Sequence, residues 1–202
     1  MKLPVSLLLA GGALLMPIQA SSHFNMLEPA NMIVQNERDD PQKKAPCGGT
    51  TADTGTLSGI VTPVRGGQML HIKIKETVYH PGHYRLAFAR TPAELPADPV
   101  AETRESEKGP QSVSAPIAKA GAPIIADGLF VHNQRPAPDF WETDIKIPNV
   151  DCGNCTLQVI QFMAEHSLNR DGDFSYHHCS ALKITADPKL PLEKQWLGSS
   201  AK

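Results

Sequence analysis

The sequence lacks a concentration of positive charge and is poor in aromatic residues. It has 19 lysine and arginine residues against 21 aspartate and glutamate residues, a formal net charge of −2 at pH 7. A mildly acidic chain without a basic stripe is not expected to bind nucleic acid, whose phosphates need positive partners. Aromatic residues make up 5% of the chain, and tryptophan occurs only twice. A flat aromatic platform for a substrate is therefore not evident.

After residue 22 the sequence has no long apolar run, so we expect no membrane span. An earlier apolar run, residues 3–18, is short for a bilayer and follows one positive charge at Lys2. This pattern is typical of a secretory signal peptide, and the small residues at 20–22 suit its cleavage. Cleavage after Ser22 makes His23 the first residue of the mature chain, and cleavage after Ala20 is the alternative. We expect an exported protein, periplasmic or secreted.

Cysteine is scarce, and export makes two disulfides the favoured interpretation of the four that are present. These are Cys47, Cys152, Cys155 and Cys179. Four cysteines allow three pairings, and spacing alone does not choose among them. The pair Cys152-Gly-Asn-Cys155 is compatible with half of a zinc site, but the sequence has no second Cys-x-x-Cys.

Helix signals are weak, whereas alternating apolar and polar residues predict β-strands. The predicted strands are 70–75, 84–89, 141–147, 156–163 and 180–185. The chain also has 18 prolines and 15 glycines, which punctuate such short strands. The pattern predicts an all-β fold, an immunoglobulin- or fibronectin III-like β-sandwich with long loops.

The chain divides into three predicted parts. Residues 1–22 form the signal peptide, 23–187 form one domain, and 188–202 form a loose C-terminal tail. Within the domain, 31–53 and 90–111 are long irregular stretches, and loops of that length are usually functional or disordered.

His23 stands out among the eight histidines because of its position. An N-terminal histidine offers its α-amine and a ring nitrogen, and both can be deprotonated near neutral pH. A second imidazole would complete a set of three nitrogens, which suits Cu(II). The turn between two predicted strands offers His80 and His83, and the residues alone do not choose between them. The alternative is that these histidines are solvated and bind nothing.

The remaining histidines have simpler interpretations. His71 shares the polar face of its strand with lysines and should face solvent. His132 precedes Asn133-Gln134 and is expected in a turn. His177 and His178 are adjacent, so an extended backbone would point them to opposite faces.

The chain resembles the lytic polysaccharide monooxygenases and their copper-binding relatives in scattered pieces. The mature start, 23–29 (HFNMLEP), is followed by Pro-Cys-Gly-Gly at 46–49. Residues 80–89 (HPGHYRLAFA) look like the segment that carries the second metal-binding histidine. The most specific piece is 155–166 (CTLQVIQFMAEH) with 176–184 (YHHCSALKI), which is similar to the last strands of the fungal cellulose-active enzymes.

The resemblance implies a copper site in which His23 and His80 are the metal ligands, with His83 as runner-up. It also implies that His166 is an outer-sphere histidine and that Tyr176 is the axial group. Phe174 is a departure, because the cellulose-active enzymes carry a glutamine there. The resemblance further implies two disulfide pairings, Cys47–Cys179 and Cys152–Cys155.

The function that the resemblance implies is oxidative cleavage of glycosidic bonds in chitin or cellulose by a monomeric copper enzyme that uses an external electron donor. One alternative is an exported copper-binding or copper-delivery protein of the same fold without polysaccharide oxidation. The other is a carbohydrate-binding module that holds no metal.

Overall fold

The computed structural model describes residues 23–37, 40–50, 53–167 and 174–197, so the predicted signal peptide lies outside the described residues. The described residues form ten strands and two 3-10 helices, Pro92–Glu94 and Lys194–Leu197. The strands are β1 (His23–Glu28), β2 (Val61–Arg65), β3 (Met69–Val78), β4 (Gly82–Ala89), β5 (Glu102–Arg104), β6 (Gln111–Val113), β7 (Ile124–His132), β8 (Trp141–Lys146), β9 (Cys152–Met163) and β10 (Ser175–Thr185).

Eight of these strands form two sheets that share one apolar core. One sheet has the order β1-β3-β8, and the other has the order β2-β10-β9-β4-β7. The strands of both sheets pair antiparallel, apart from β2, which runs parallel to β10. The predicted all-β sandwich is confirmed at this level, and its likeness to immunoglobulin or fibronectin III domains stays a prediction.

Alternation along the strands determines which side chains fill the core. Ile72 and Ile74 of β3 are fully buried, whereas His71 and Lys75 are exposed, as expected for His71. The opposite sheet contributes further core residues, among them Leu86, Val159 and Leu182. Each such side chain contributes roughly 1.5–3 kcal/mol through removal from water. Burial of the apolar side chains that alternate along these strands is therefore the main force that brings the two sheets together.

Both expected disulfides are present. Cys47–Cys179 ties the irregular stretch 31–53 to β10, and Cys152–Cys155 closes a tight loop at the start of β9. The first bond spans 132 residues of sequence, so it holds a long loop against the sheet on which Tyr176 lies.

The described part of the C-terminal tail packs against the domain. The side-chain nitrogen of Asn149 donates to the carbonyls of Asp187, Leu190 and Pro191 at 3.0–3.2 Å. Trp196 then packs against the core beside Phe88. Asn149 itself is almost fully buried, so the tail covers polar groups that would otherwise lack partners. Among the described residues, no helix has the length and apolar character needed to cross a membrane.

Candidate metal centre

Pairing of the first strand with β3 places His23 at the same end of the sandwich as His80. In the antiparallel register His23 lies opposite Val78, the last residue of β3. His80 follows two residues later, in the short link to β4. Directly opposed residues in an antiparallel pair are neighbours in space, so both imidazoles belong to one end of the sandwich.

The ring of His23 is held by a carboxylate. Its Nε2 lies 3.0 Å from Oδ1 of Asp40, and the residue is 8% exposed. A carboxylate only accepts hydrogen bonds, so Nε2 carries the proton and the lone pair of the neutral ring is on Nδ1. Nδ1 is the ring nitrogen that can close a six-membered chelate with the α-amine of the same residue. The hydrogen bond thus selects the tautomer that a chelating N-terminal histidine needs.

His80 differs from His23 in the ring nitrogen that is available to a metal, which is Nε2 and not Nδ1. Its Nδ1 donates to the carbonyl of Pro81 at 3.0 Å, which places the lone pair on Nε2. Burial lowers the pKa of His80, so its ring is neutral and available as a ligand near pH 7. The ring stacks on that of His166, with centroids 5.2 Å apart and planes 25° from parallel. His80 and His166 therefore lie side by side.

Tyr176 lies beside the other histidine. It is 3% exposed, and its ring centroid is 5.5 Å from that of His23. Nζ of Lys43 lies over the same ring, 4.0 Å from the centroid, in a cation–π contact. Phe174, the departure from the cellulose-active pattern, packs with its ring centroid 6.0 Å from that of His166.

His83 lies on the opposite face of its sheet. Tyr84 of β4 points into the core against Phe24, and alternation sends the preceding residue outward. There His83 stacks on Phe162, and its Nε2 is 3.8 Å from Oδ1 of Asp127. Of the two turn histidines, His80 is the one placed at the end of the sandwich that holds His23.

A buried carboxylate beneath the candidate site was not foreseen from the sequence. Oε1 of Glu76 accepts hydrogen bonds at 2.9–3.2 Å from Tyr84, Trp141 and Gln161. Nε2 of His132 also lies 2.9 Å from this oxygen and 2.9 Å from the carbonyl of His80. Glu76 follows Ile72 and Ile74 on the inward face of β3. A charged residue at a position where the alternation predicts an apolar one was the sequence signal for this buried carboxylate.

The expectation that His132 lies in a turn is wrong, because it is the last residue of β7 and its side chain is only 3% exposed. Its Nδ1 faces the carbonyl of Phe130, so both ring nitrogens face acceptors. Burial opposes a charged ring, but hydrogen bonds to Glu76 and to backbone carbonyls, together with the Glu76 charge, raise the pKa of His132. His132 therefore connects the buried Glu76 carboxylate to the backbone carbonyl of His80.

Within the described ranges, no group of three or more histidine, cysteine, aspartate or glutamate side chains is arranged to hold a metal ion. The site implied here needs only two imidazoles and the α-amine that cleavage before His23 would create. The donor set therefore fits copper without a third side chain. The sequence matches no protein-family model, and no curated protein matches it.

Proposed function

We propose that the chain is an exported, copper-dependent protein similar to the lytic polysaccharide monooxygenases, with copper held by His23 and His80. The observation that supports this most directly is the pair of hydrogen bonds on the far sides of the two rings. Asp40 leaves the lone pair of His23 on Nδ1, and Pro81 leaves that of His80 on Nε2. With the α-amine of a mature His23, these atoms make the nitrogen-rich set that copper prefers.

Copper bound there would supply one-electron chemistry to an oxygen co-substrate, with electrons from an external donor. The residues around it have separate roles. The Tyr176 ring occupies one side of the site and excludes water and further ligands from that direction. Nδ1 of His166 donates to the carbonyl of Ser167, which leaves Nε2 as the ring nitrogen that would interact with an oxygen species beside His80. The proposed reaction removes hydrogen from C1 or C4 at a glycosidic link of chitin or cellulose and puts a hydroxyl in its place. One oxygen atom of O2 would enter the sugar and the other would leave as water, with two electrons from the external donor and two protons from solvent.

The choice of ligands is tested with two matched alanine variants of the turn. Protein exported with its own signal is first checked by intact mass for a start at His23. We expect His80→Ala to weaken Cu(II) binding by more than the roughly 10- to 100-fold that loss of an outer-shell partner costs. The EPR spectrum should lose one nitrogen. His83→Ala should retain both, because His83 lies on the outer face with Asp127. The opposite ranking would make His83 the ligand.

A copper-binding or copper-delivery protein without oxidative chemistry is the second candidate. It is favoured by the positions of both tryptophans, since Trp141 donates to Glu76 and Trp196 packs against Phe88. Neither indole is then presented as a flat platform for a sugar chain. Incubation with chitin and cellulose, copper and a reductant separates the two functions. Oxidised oligosaccharides support the enzyme, whereas tight copper binding and transfer to an acceptor without oxidised products support the carrier.

A carbohydrate-binding module without metal is distinguished by the same preparation. Such a module would bind polysaccharide, and a chain that starts at His23 would take up no copper.

A further inference from the structure

Residues 40–43 make three successive contacts with the candidate site. Asp40 holds the His23 ring, the Gln42 side chain accepts from the backbone N–H of Phe24 at 3.2 Å, and Lys43 covers Tyr176. Gln42 is fully buried although it lies in an irregular stretch. Residues 40–43 are therefore part of the candidate site and not a solvent-exposed loop beside it.

The backbone of this segment is fixed on both sides. Asp40 exchanges hydrogen bonds with Asn36, whose N–H donates to the Asp40 carbonyl at 2.9 Å and whose Oδ1 accepts from the Asp40 N–H at 3.1 Å. The carbonyl of Gln42 accepts from the N–H of His177 on β10 at 2.7 Å. The Cys47–Cys179 disulfide closes the same loop onto the same strand. The Asp40 carboxylate is thus held against His23.

We propose that Asp40 is a positioning residue that fixes the tautomer and orientation of His23 and tunes the bound copper toward the Cu(II) state. The inference rests on the proposed function, because it requires a metal on Nδ1. A carboxylate that accepts from the far nitrogen of a ligand imidazole raises the basicity of that ligand. A more basic ligand stabilises Cu(II) more than Cu(I), so the carboxylate lowers the reduction potential of the site.

Partial exposure is consistent with a tuning role. The Asp40 side chain is 40% exposed while that of His23 is 10% exposed. The carboxylate keeps contact with water, which limits the cost of holding its charge beside the site. Replacement of Asp40 should therefore change the ligand field of the copper without creating a cavity in the core.

The test compares Asp40→Asn with Asp144→Asn. Asp144 accepts from Nδ1 of His71 at 2.9 Å on the exposed face of the β1-β3-β8 sheet, so its variant makes the same change to a histidine outside the site. Both proteins are processed to start at His23 and loaded with copper. Cu(II) and Cu(I) affinities are measured by competition with chromophoric chelators, the potential by voltammetry, and the ligand field by EPR.

We expect Asp40→Asn to weaken Cu(II) binding roughly 10-fold relative to Cu(I), which corresponds to a rise in potential of about 59 mV for a one-electron couple. The nitrogen hyperfine pattern should change as well. Asp40→Glu should restore part of the shift, and Asp144→Asn should match the wild-type protein.

Two outcomes separate this inference from the proposed function. If the wild-type protein and Asp144→Asn bind copper through nitrogen, and Asp40→Asn has the same potential and spectrum, the role of Asp40 is overturned while the copper site stands. If the wild-type protein that starts at His23 binds no copper, both proposals are overturned.

Discussion

At the scale of single residues, Glu76 and His132 form a buried pair, with Nε2 of His132 2.9 Å from Oε1 of Glu76. Their side chains are 1% and 3% exposed, so water screens the pair very little. Four donors converge on one oxygen of Glu76, one of them from His132, which also contacts the carbonyl of His80. Two buried charges are costly to bring out of water, and each is tolerated only because the other is present.

We therefore expect Glu76→Leu to lower the free energy of unfolding by about 3–5 kcal/mol, because His132 and the three other buried donors would lose their shared acceptor. Chemical denaturation at pH 7 measures the change. The double variant Glu76→Leu/His132→Leu should cost less than the sum of its two single variants. Strict additivity would show that the two side chains do not interact. Glu142→Leu, on the exposed face of β8, is the matched control and should change stability little.

At the scale of strands, His178 links the two sheets. It lies on β10, and its Nε2 donates to the carbonyl of Phe24 on β1 at 2.7 Å. Its ring also meets the Phe24 ring edge-on, with centroids 4.6 Å apart. Burial, with smaller contributions from His177 and His23, lowers the pKa of His178 to about 4 although the Phe24 hydrogen bond raises it. The neutral ring is thus part of the contact between sheets.

This contact should make stability depend on pH. The folded state binds the His178 proton more weakly than the unfolded chain, whose reference value is 6.5. Stability from this residue is present above about pH 6.5 and is lost as pH falls toward about 4. The lowered pKa of His178 corresponds to about 3 kcal/mol in the free energy of unfolding, at about 1.4 kcal/mol per pKa unit. His178→Gln keeps a donor without titrating.

Urea unfolding of the His178→Gln variant between pH 7 and pH 4 should show a flatter profile than the wild-type protein. His71→Gln, at an exposed position of β3, is the matched control and should keep the wild-type slope. Parallel profiles for His178→Gln and the wild-type protein would contradict this origin of the pH dependence.

At the scale of the whole molecule, the candidate site depends on where the mature chain begins. β1 starts at His23, and the ring of that residue is already fixed by Asp40 and packed beside Tyr176. Cleavage before His23 would add only the α-amine to an arrangement that the fold has built. In the proposed function, one cleavage before His23 would therefore both remove the signal peptide and complete the copper site.

A single alanine placed before His23 should therefore weaken Cu(II) binding strongly, since the α-amine would no longer belong to the residue whose Nδ1 binds the metal. Competition titration against the protein that starts at His23 measures the loss. One alanine added after Lys202 is the control and should have no effect. Equal affinity for the two N-termini would show that the amine is not a ligand.

The sequence by itself determined the strands and the core, because burial follows the local alternation of apolar residues. Residues 70–75 and 84–89 became parts of β3 and β4, and the cysteines formed two disulfides. Local periodicity carries this information, since each side chain in a strand points to the face opposite its neighbour's.

The resemblance favoured His80 over His83, but only the tertiary structure placed the two on different faces and joined His23 to Asp40. His80 and His83 are three residues apart in sequence. His80 contacts His166 at the end of the sandwich, while His83 faces Asp127 on the outer face. Asp40 is 17 residues from His23 in an irregular stretch, and nothing in its local sequence points to that ring. Such contacts depend on strand register and on a disulfide that spans 132 residues, so no local pattern encodes them.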